Sequence, residues 1–314
     1  MKLAIIFNGQ GAHYEHMGKD FISEYAVARE LIQNIEAVTD YPIQNWIDHD
    51  IDILSKTQYA QPAIAATSLV IYHSIAPLIP AVSYMAGLSL GEYAALMASQ
   101  ALTIEDGFTL LKARGEIMSI QCENLKNTAN VQMIAAINMP LDQIKATMSE
   151  VDPALPLYIA NYNSPSQIVL GGVEAAVNQF TQLAKEKGYR KILPLKVEGP
   201  FHTPLMEDAV PPFRLILNKT AFKSFDTPVI SNLTVEPHQL STIKDNLANH
   251  LVQPVQWQQT IDYFVENGVT HLIQIGPGKT LASLLKRQEN VPEVLVIDKV
   301  EDVQALEPFL NKGV

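Results

Sequence analysis

Ala81-Val82-Ser83-Tyr84-Met85-Ala86-Gly87-Leu88-Ser89-Leu90-Gly91-Glu92 reads as an apolar strand that ends at Gly87 and passes at once into a helical run, Glu92 to Ala98. Between the two lies G-x-S-x-G, with Ser89 at its centre. A serine on so tight a strand-to-helix turn is held in a strained backbone conformation with its hydroxyl thrust out of the fold. A β-carbon at Gly87 or Gly91 would collide with the neighbouring strand or helix, so small residues are required at both places. The helix that follows aims free N–H groups and the positive end of its dipole at the serine, an arrangement that suits an oxyanion. The pentapeptide alone also fits an ordinary βα turn; the strand before it and the helix after it favour a nucleophile.

Bulk properties narrow the surroundings of that turn. The 314 residues suffice for one large domain or a large and a small one, and 47% hydrophobic with 18% charged residues is an ordinary globular composition. A formal charge of −11 argues against nucleic-acid binding, which needs clustered positive charge. The single cysteine, Cys122, cannot form an internal disulfide, which fits a reducing cytoplasm. No Asp, Glu, Lys or Arg occurs between Lys56 and Glu92, but Pro62, Pro77 and Pro80 interrupt the run and polar residues dilute it. A buried helix leading into a buried strand accounts for it better than a membrane span.

Around the elbow, Leu3 to Phe7 reads as a first buried strand running into Gly9-Gln10-Gly11, whose backbone amides can face a site. That turn lacks a P-loop lysine and dinucleotide-binding spacing. His13 and His16, with Glu15 between them, match no zinc spacing and have no plausible further ligand nearby, so no metal site is expected. Residues 18–38 carry one helical period, Trp46 to Leu54 reads as loop-borne core, and the next helix is expected to start near Gln61-Pro62. Thr103 is the expected cap of the helix that carries Arg114-Gly115. From Val131 to Val197 the order is β-α-β-β-α-β, the ferredoxin-like succession. The expected fold is therefore α/β: an α/β-hydrolase-like core with a mostly parallel sheet, residues 1–128 and 198–314, and an inserted ferredoxin-like subdomain, residues 129–197. After it come a short strand, Pro228 to Asn232, the helix Trp257 to Val265, the strand Thr270 to Ile275 and the helix Thr280 to Arg287.

A serine nucleophile needs a base, and eight histidines are available. His202 ranks first, because it lies in a glycine-led loop between two prolines at the junction of the two inferred units, where a cleft is expected. His49, His238 and His271 read as residues of polar loops or strand edges.

Gly9-Gln10-Gly11, Gly87-Leu88-Ser89-Leu90-Gly91-Glu92-Tyr93, Arg114-Gly115, Asn161-Tyr162-Asn163-Ser164-Pro165, Gly199-Pro200-Phe201-His202, Pro254-Val255-Gln256-Trp257 and Gly276-Pro277-Gly278-Lys279 stand in the order found in malonyl-CoA:acyl carrier protein transacylases. The chain resembles that family from its first strand to about Arg287. The resemblance implies that Ser89 attacks the malonyl thioester in a ping-pong transfer to the phosphopantetheine thiol of acyl carrier protein, with His202 as general base and acid. It gives the oxyanion hole to the N–H groups of Gln10 and Leu90, and the malonyl carboxylate to Arg114, whose planar fork matches it. It adds Gln61, Met133 and Phe201 to the substrate-binding set. A backbone carbonyl near His250, together with Asn232, would orient His202 in place of a triad acid. Arg190, Lys191, Lys279, Lys286 and Arg287 are candidates for docking the acidic carrier. Malonyl-CoA and acyl carrier protein are the implied partners; no nucleic acid, membrane, metal or resident cofactor is implied.

Three positions depart from the family pattern: Leu88 stands where histidine is usual, Asn8 where proline or alanine is, and His250 where glutamine is. They put acyl preference in question more than reaction type. The alternatives are a polyketide-synthesis acyltransferase, an acyl-thioester hydrolase with water as acceptor, and an inactive carrier-binding subunit.

Overall fold

Alternation along the first strand assigns the two faces of the main sheet. In the computed structural model, which describes residues 1–286 and 288–311, β1 (Leu3–Phe7) sends Leu3, Ile5 and Phe7 into one apolar cluster and Ala4 and Ile6 into another. A strand buried on both faces needs cover on both, as parallel sheets do. After β1 come α1 (Lys19–Glu24), α2 (Ala26–Thr39), α3 (Ile43–His49), a short 3-10 turn over Ile51–Ser55 and α4 (Thr57–Ile75). β2 (Tyr84–Gly87), α5 (Leu90–Ala98) and α6 (Ile104–Lys126) follow.

The antiparallel part comes next: β3 (Val131–Ile137), α7 (Leu141–Met148), β4 (Leu157–Ser164), β5 (Gln167–Val173), α8 (Glu174–Glu186) and β6 (Ile192–Pro194). Its sheet runs β4-β5-β3-β6 with every neighbour antiparallel. Ile134, Ala136, Ile168 and Leu170 pack against Ile144, Val177 and Phe180 of its own two helices. Met133, Ala135 and Val169, one residue out of phase, join the main core instead. This second face looks toward the parallel sheet.

The chain then returns through α9 (Val210–Lys219), α10 (Ile243–Asn249), α11 (Trp257–Glu266), β7 (His271–Ile275), α12 (Thr280–Leu285), β8 (Glu293–Ile297) and α13 (Leu306–Leu310). The main sheet is four-stranded, ordered β2-β1-β7-β8, and wholly parallel. Pro254-Val255-Gln256 ties the two sheets together: Tyr162 N–H donates to Val255 O, Val255 N–H to Ala160 O, and Gln256 N–H to Asn232 O, each at 2.9 Å.

Several local expectations change. The single helix over residues 18–38 is two, because Tyr25 takes an extended conformation (φ −103°, ψ 126°) that stops α1 and starts α2. Trp46 and Leu54 lie on short helical segments rather than loops. α4 begins at Thr57, ahead of Pro62, because Glu198 reaches across to accept the Thr57 N–H and satisfy a first-turn donor. Pro228 to Asn232 forms only isolated bridges at Val229 and Ile230, not a strand. β8 and α10 carry no expectation from sequence; β8 is the partly exposed edge of the parallel sheet. Thr103 does cap α6, accepting the Asp106 N–H at 3.0 Å.

Candidate active site

The elbow is built by close contact. An added Cβ at Gly87 would lie 2.0 Å from the Gly91 carbonyl, and one at Gly91 would lie 2.4 Å from Phe7 O, so strand, helix and β1 touch through bare backbone. Ser89 sits on the turn at φ 56°, ψ −107°, outside the conformations that L-residues favour. Such a residue costs about 1–3 kcal/mol and persists because its surroundings over-determine it. Here they do: Ser89 N–H donates to Asn232 Oδ1 at 2.7 Å, and Asn232 Nδ2 donates to Gly87 O at 2.7 Å.

His202 approaches from the loop after β6, also at positive φ (59°). Its Nε2 lies 2.8 Å from Ser89 Oγ and its Nδ1 2.8 Å from the backbone oxygen of His250. A carbonyl only accepts, so the proton is assigned to Nδ1, leaving Nε2 with the lone pair that faces the serine. Burial, the neighbouring His250 and Arg114 hold its pKa well below the ordinary histidine value, against an opposing pull from the His250 carbonyl and Glu92. His202 is therefore held neutral at physiological pH, with Nε2 open to accept a proton.

Arg114 reaches the same hydroxyl from beneath. Gly115 lets α6 run against the start of α4, where an added Cβ would lie 2.7 Å from Gln58 Cα. That contact brings Arg114 Nη1 to Gln61 Oε1 at 2.5 Å and Nη2 to Ser89 Oγ at 3.2 Å, with the guanidinium 5.4 Å from the Tyr93 ring centre. Arg114 is 1% exposed; among the described residues its Nε has no hydrogen-bond partner, and no carboxylate makes an ion pair with it. Burial pulls its pKa below the usual value, opposed by Tyr93 and Glu92. Gln61 Nε2 in turn donates to Thr57 Oγ1, and Thr57 Oγ1 to Gln10 Oε1. A continuous chain thus joins the guanidinium to the Gly9-Gln10-Gly11 turn.

Above these groups lies a cavity of about 560 Å³. Gln10, Ser89, His202, Met133, Phe201 and Leu88 line it, joined by Asn161 and Asn163 from β4. The N–H groups of Gln10 and Leu90 have no acceptor among the described residues, so both are free to bind a developing oxyanion.

The structure brings Ser89, His202, Arg114, Gln10, Leu90, Met133, Phe201 and the His250 carbonyl together. Arg114, Leu90 and Gln61 are not among the residues that line the cavity: Arg114 meets it through Ser89 Oγ, and the Gln61 carboxamide is committed to Arg114 and Thr57. Asn232 makes no hydrogen bond to His202 among the described residues; its partners are Ser89, Gly87 and Glu92. The bridge that pairs Ile230 N–H with Met85 O sets it behind the elbow, where it holds Ser89 instead. The candidate docking cations divide. Lys279 lines the cavity and, with Lys286, an adjoining groove, whereas Lys191 lines a separate hollow with Ile137 and Leu193, beside exposed Arg190. Arg287 lies outside the described residues. Asn8, one of the departures, is fully buried and donates to Pro277 O at 2.7 Å, tying β1 to the loop before α12.

Sequence reading missed Glu92 and His238. Glu92 is buried and bonded to His238, which lies under the site rather than in a polar loop. A signal was present: between Lys56 and Glu105, Glu92 is the sole Asp, Glu, Lys or Arg, on a helix that is buried throughout.

Residues 4–305 match the acyl transferase domain family. A malonyl CoA-acyl carrier protein transacylase of Bacillus subtilis is 31% identical over 306 residues, covering 96% of this chain and 95% of the relative. The crystal structure of MCAT from Streptococcus pneumoniae superposes with a TM-score of 0.91 at 35% identity, over 98% of this chain and 100% of that one. A malonyl-transacylase solved in complex with a type II polyketide synthase acyl carrier protein superposes with a TM-score of 0.93 at 28% identity, over 98% and 100% of the two chains.

Proposed function

The chain belongs to the acyl transferase family, among the malonyl CoA-acyl carrier protein transacylases, and on that premise we propose that it moves a malonyl group from malonyl-CoA to the phosphopantetheine thiol of acyl carrier protein. Ser89 Oγ attacks the thioester carbonyl as its proton passes to His202 Nε2. The new C–O bond pushes an electron pair onto the carbonyl oxygen, which the N–H groups of Gln10 and Leu90 receive. Collapse breaks the C–S bond, and His202 returns the proton to the departing thiolate. The carrier's thiol then repeats the sequence in reverse and frees Ser89. Ser89, His202 and the two thioesters balance each step.

One observation carries the malonyl assignment: a buried guanidinium one hydrogen bond from the nucleophile, with no carboxylate of the described residues in contact. A buried cation without an anionic partner is costly, and a substrate carboxylate held by two parallel hydrogen bonds relieves that cost. Phe201 and Met133 close the cavity with apolar surface near the acyl group. The same reading treats residues 129–197 as a subdomain inserted into the larger unit. It also places the protein in the cytoplasm, in keeping with one buried free cysteine and with no membrane-spanning helix among the described residues.

Carrier loading with malonyl-, methylmalonyl- and acetyl-CoA tests the assignment. Arg114→Ala is expected to lower kcat/KM for malonyl-CoA by about a hundredfold, the value of a charged bidentate contact, and to leave acetyl transfer unchanged or raised. Equal losses with both donors contradict it.

A further inference from the structure

Glu92 lies three residues past the nucleophile, in the first turn of α5, and is 1% exposed. Its Oε1 accepts the Asn232 N–H at 2.9 Å and faces His238 Nε2 at 2.8 Å, while Oε2 lies 3.2 Å from His250 Nδ1. Asn232 and His250 are the supports of the reacting pair. Asn232 pins the Ser89 amide, and the His250 carbonyl receives His202 Nδ1–H. The His250 ring also lies 4.5 Å from the His202 ring, tilted by 31°. One carboxylate therefore grips both the structure that holds the nucleophile and the residue that holds the base.

The protonation of this cluster follows from what is left over. His238 Nδ1 and His250 Nε2 are buried without partners among the described residues. If either ring were an imidazolium, it would bury an unpaired charged N–H. Each ring is therefore assigned as neutral, with its single proton on the nitrogen facing Glu92. Two donors, Asn232 N–H and His238 Nε2–H, then meet Oε1, and His250 Nδ1 lies 3.2 Å from Oε2, which has no hydrogen-bond partner among the described residues. Burial opposes ionisation of Glu92, but the neighbouring His238 and His250 outweigh it and hold the carboxyl well below the usual range.

We propose that Glu92 is the displaced acid of this serine–histidine pair: a positioning residue that sets Ser89 through Asn232 and His202 through His250, and whose charge stabilises the imidazolium formed as Ser89 attacks. The place a triad acid would take beside His202 Nδ1 is filled by a neutral carbonyl, so the compensating negative charge has to stand one residue further away. The groups around His202 are Ser89, the His250 carbonyl and Arg114, with Glu92 behind His250; Arg114 disfavours its protonated form, and the His250 carbonyl and Glu92 favour it. The inference rests on the acyl-transfer reading for its kinetics but not for its titration.

Steady-state carrier loading and NMR titration of His202 test it on the full chain. Glu92→Gln keeps the side-chain volume and removes the charge. It should lower kcat at least about tenfold, leave KM for malonyl-CoA within about twofold, and move the acid limb of kcat/KM to lower pH. His250→Leu, which removes the imidazole 3.2 Å from Oε2, should lower kcat similarly; His250→Gln, which returns an N–H donor beside Oε2, should recover most of it. Wild-type kcat and an unmoved limb in Glu92→Gln would overturn the proposal. So would a fall in melting temperature with kcat per folded molecule intact. If Glu92→Gln does not fold, equal kcat in the two His250 variants overturns it. If the wild-type chain loads no carrier, the acyl-transfer reading is what fails. The downward shift of the His202 titration between wild type and Glu92→Gln then still decides the role of Glu92.

Discussion

The parallel and antiparallel sheets meet across the cavity and contribute to it in opposite ways. From the parallel side come Ser89 and the Gln10 turn, with Glu92 beneath them; at Gly9, Gly87 and Gly91 the backbone contacts leave no room for a methyl group. From the antiparallel side come Met133, Val169, Asn161 and Asn163, side chains on one face of a sheet whose other face is already filled by its own helices. The reacting groups sit where strain and hydrogen bonds fix every atom; the wall sits where alternation alone chooses which residues face the substrate. On the proposed function, chemistry and fit to the acyl chain fall to separate parts of the chain, and substitutions in the two parts should fail differently.

Gly91→Ala probes the first part most severely. Its Cβ would meet Phe7 O at 2.4 Å and Asn8 O at 2.7 Å, both backbone atoms that cannot swing aside. A cost of about 2–3 kcal/mol in stability is expected, with carrier loading lost by more than tenfold because the elbow and oxyanion turn shift together. Near-normal loading would show that the elbow is less tightly fixed than these contacts require.

The depressed basicity of His202 gives an intermediate effect. kcat/KM should hold its plateau below pH 6.5 and fall only at more acidic pH, and a limb at the ordinary histidine value would contradict the buried, neutral base. The linked stability has a definite sign. The unfolded chain takes up a proton near pH 6.5 that the folded site refuses, so stability from this group declines as pH drops below 6.5 toward the folded value. Equilibrium denaturation at several pH values reads this directly.

Met133→Leu on the opposite wall should do least. The swap conserves volume, so it should cost under about 1.5 kcal/mol, leave kcat unchanged and alter KM by no more than about threefold. A large fall in kcat would join the wall to the chemistry and break the distinction between the sheets.

The two regions also differed in how plainly the sequence displayed them. The elbow was legible because its constraint is local: glycines on both sides of a serine, between a strand and a helix, are dictated by contacts only a few residues apart. The β-α-β-β-α-β order was legible from alternating and helical periods. Arg114 was not, since a cation on a mixed helix looks the same whether water or a cleft covers it; only Gly115 packed on α4 buries it. Resemblance, rather than spacing, singled it out. The place of Asn232 was hidden for a related reason: its contact with the Ser89 amide depends on the bridge between Val229 and Met85, residues far apart in sequence. The split at Tyr25 and the start of α4 at Thr57 likewise turn on tertiary partners that override propensity.

Intact-protein and peptide mass spectrometry after mixing the enzyme with malonyl-CoA, without carrier protein, tests the shared premise most directly. The mass of one malonyl group should appear on Ser89, be absent from Ser89→Ala, and disappear when the carrier's thiol is added. Malonyl transfer to the carrier with an unmodified Ser89, or an adduct on another residue, would contradict the account.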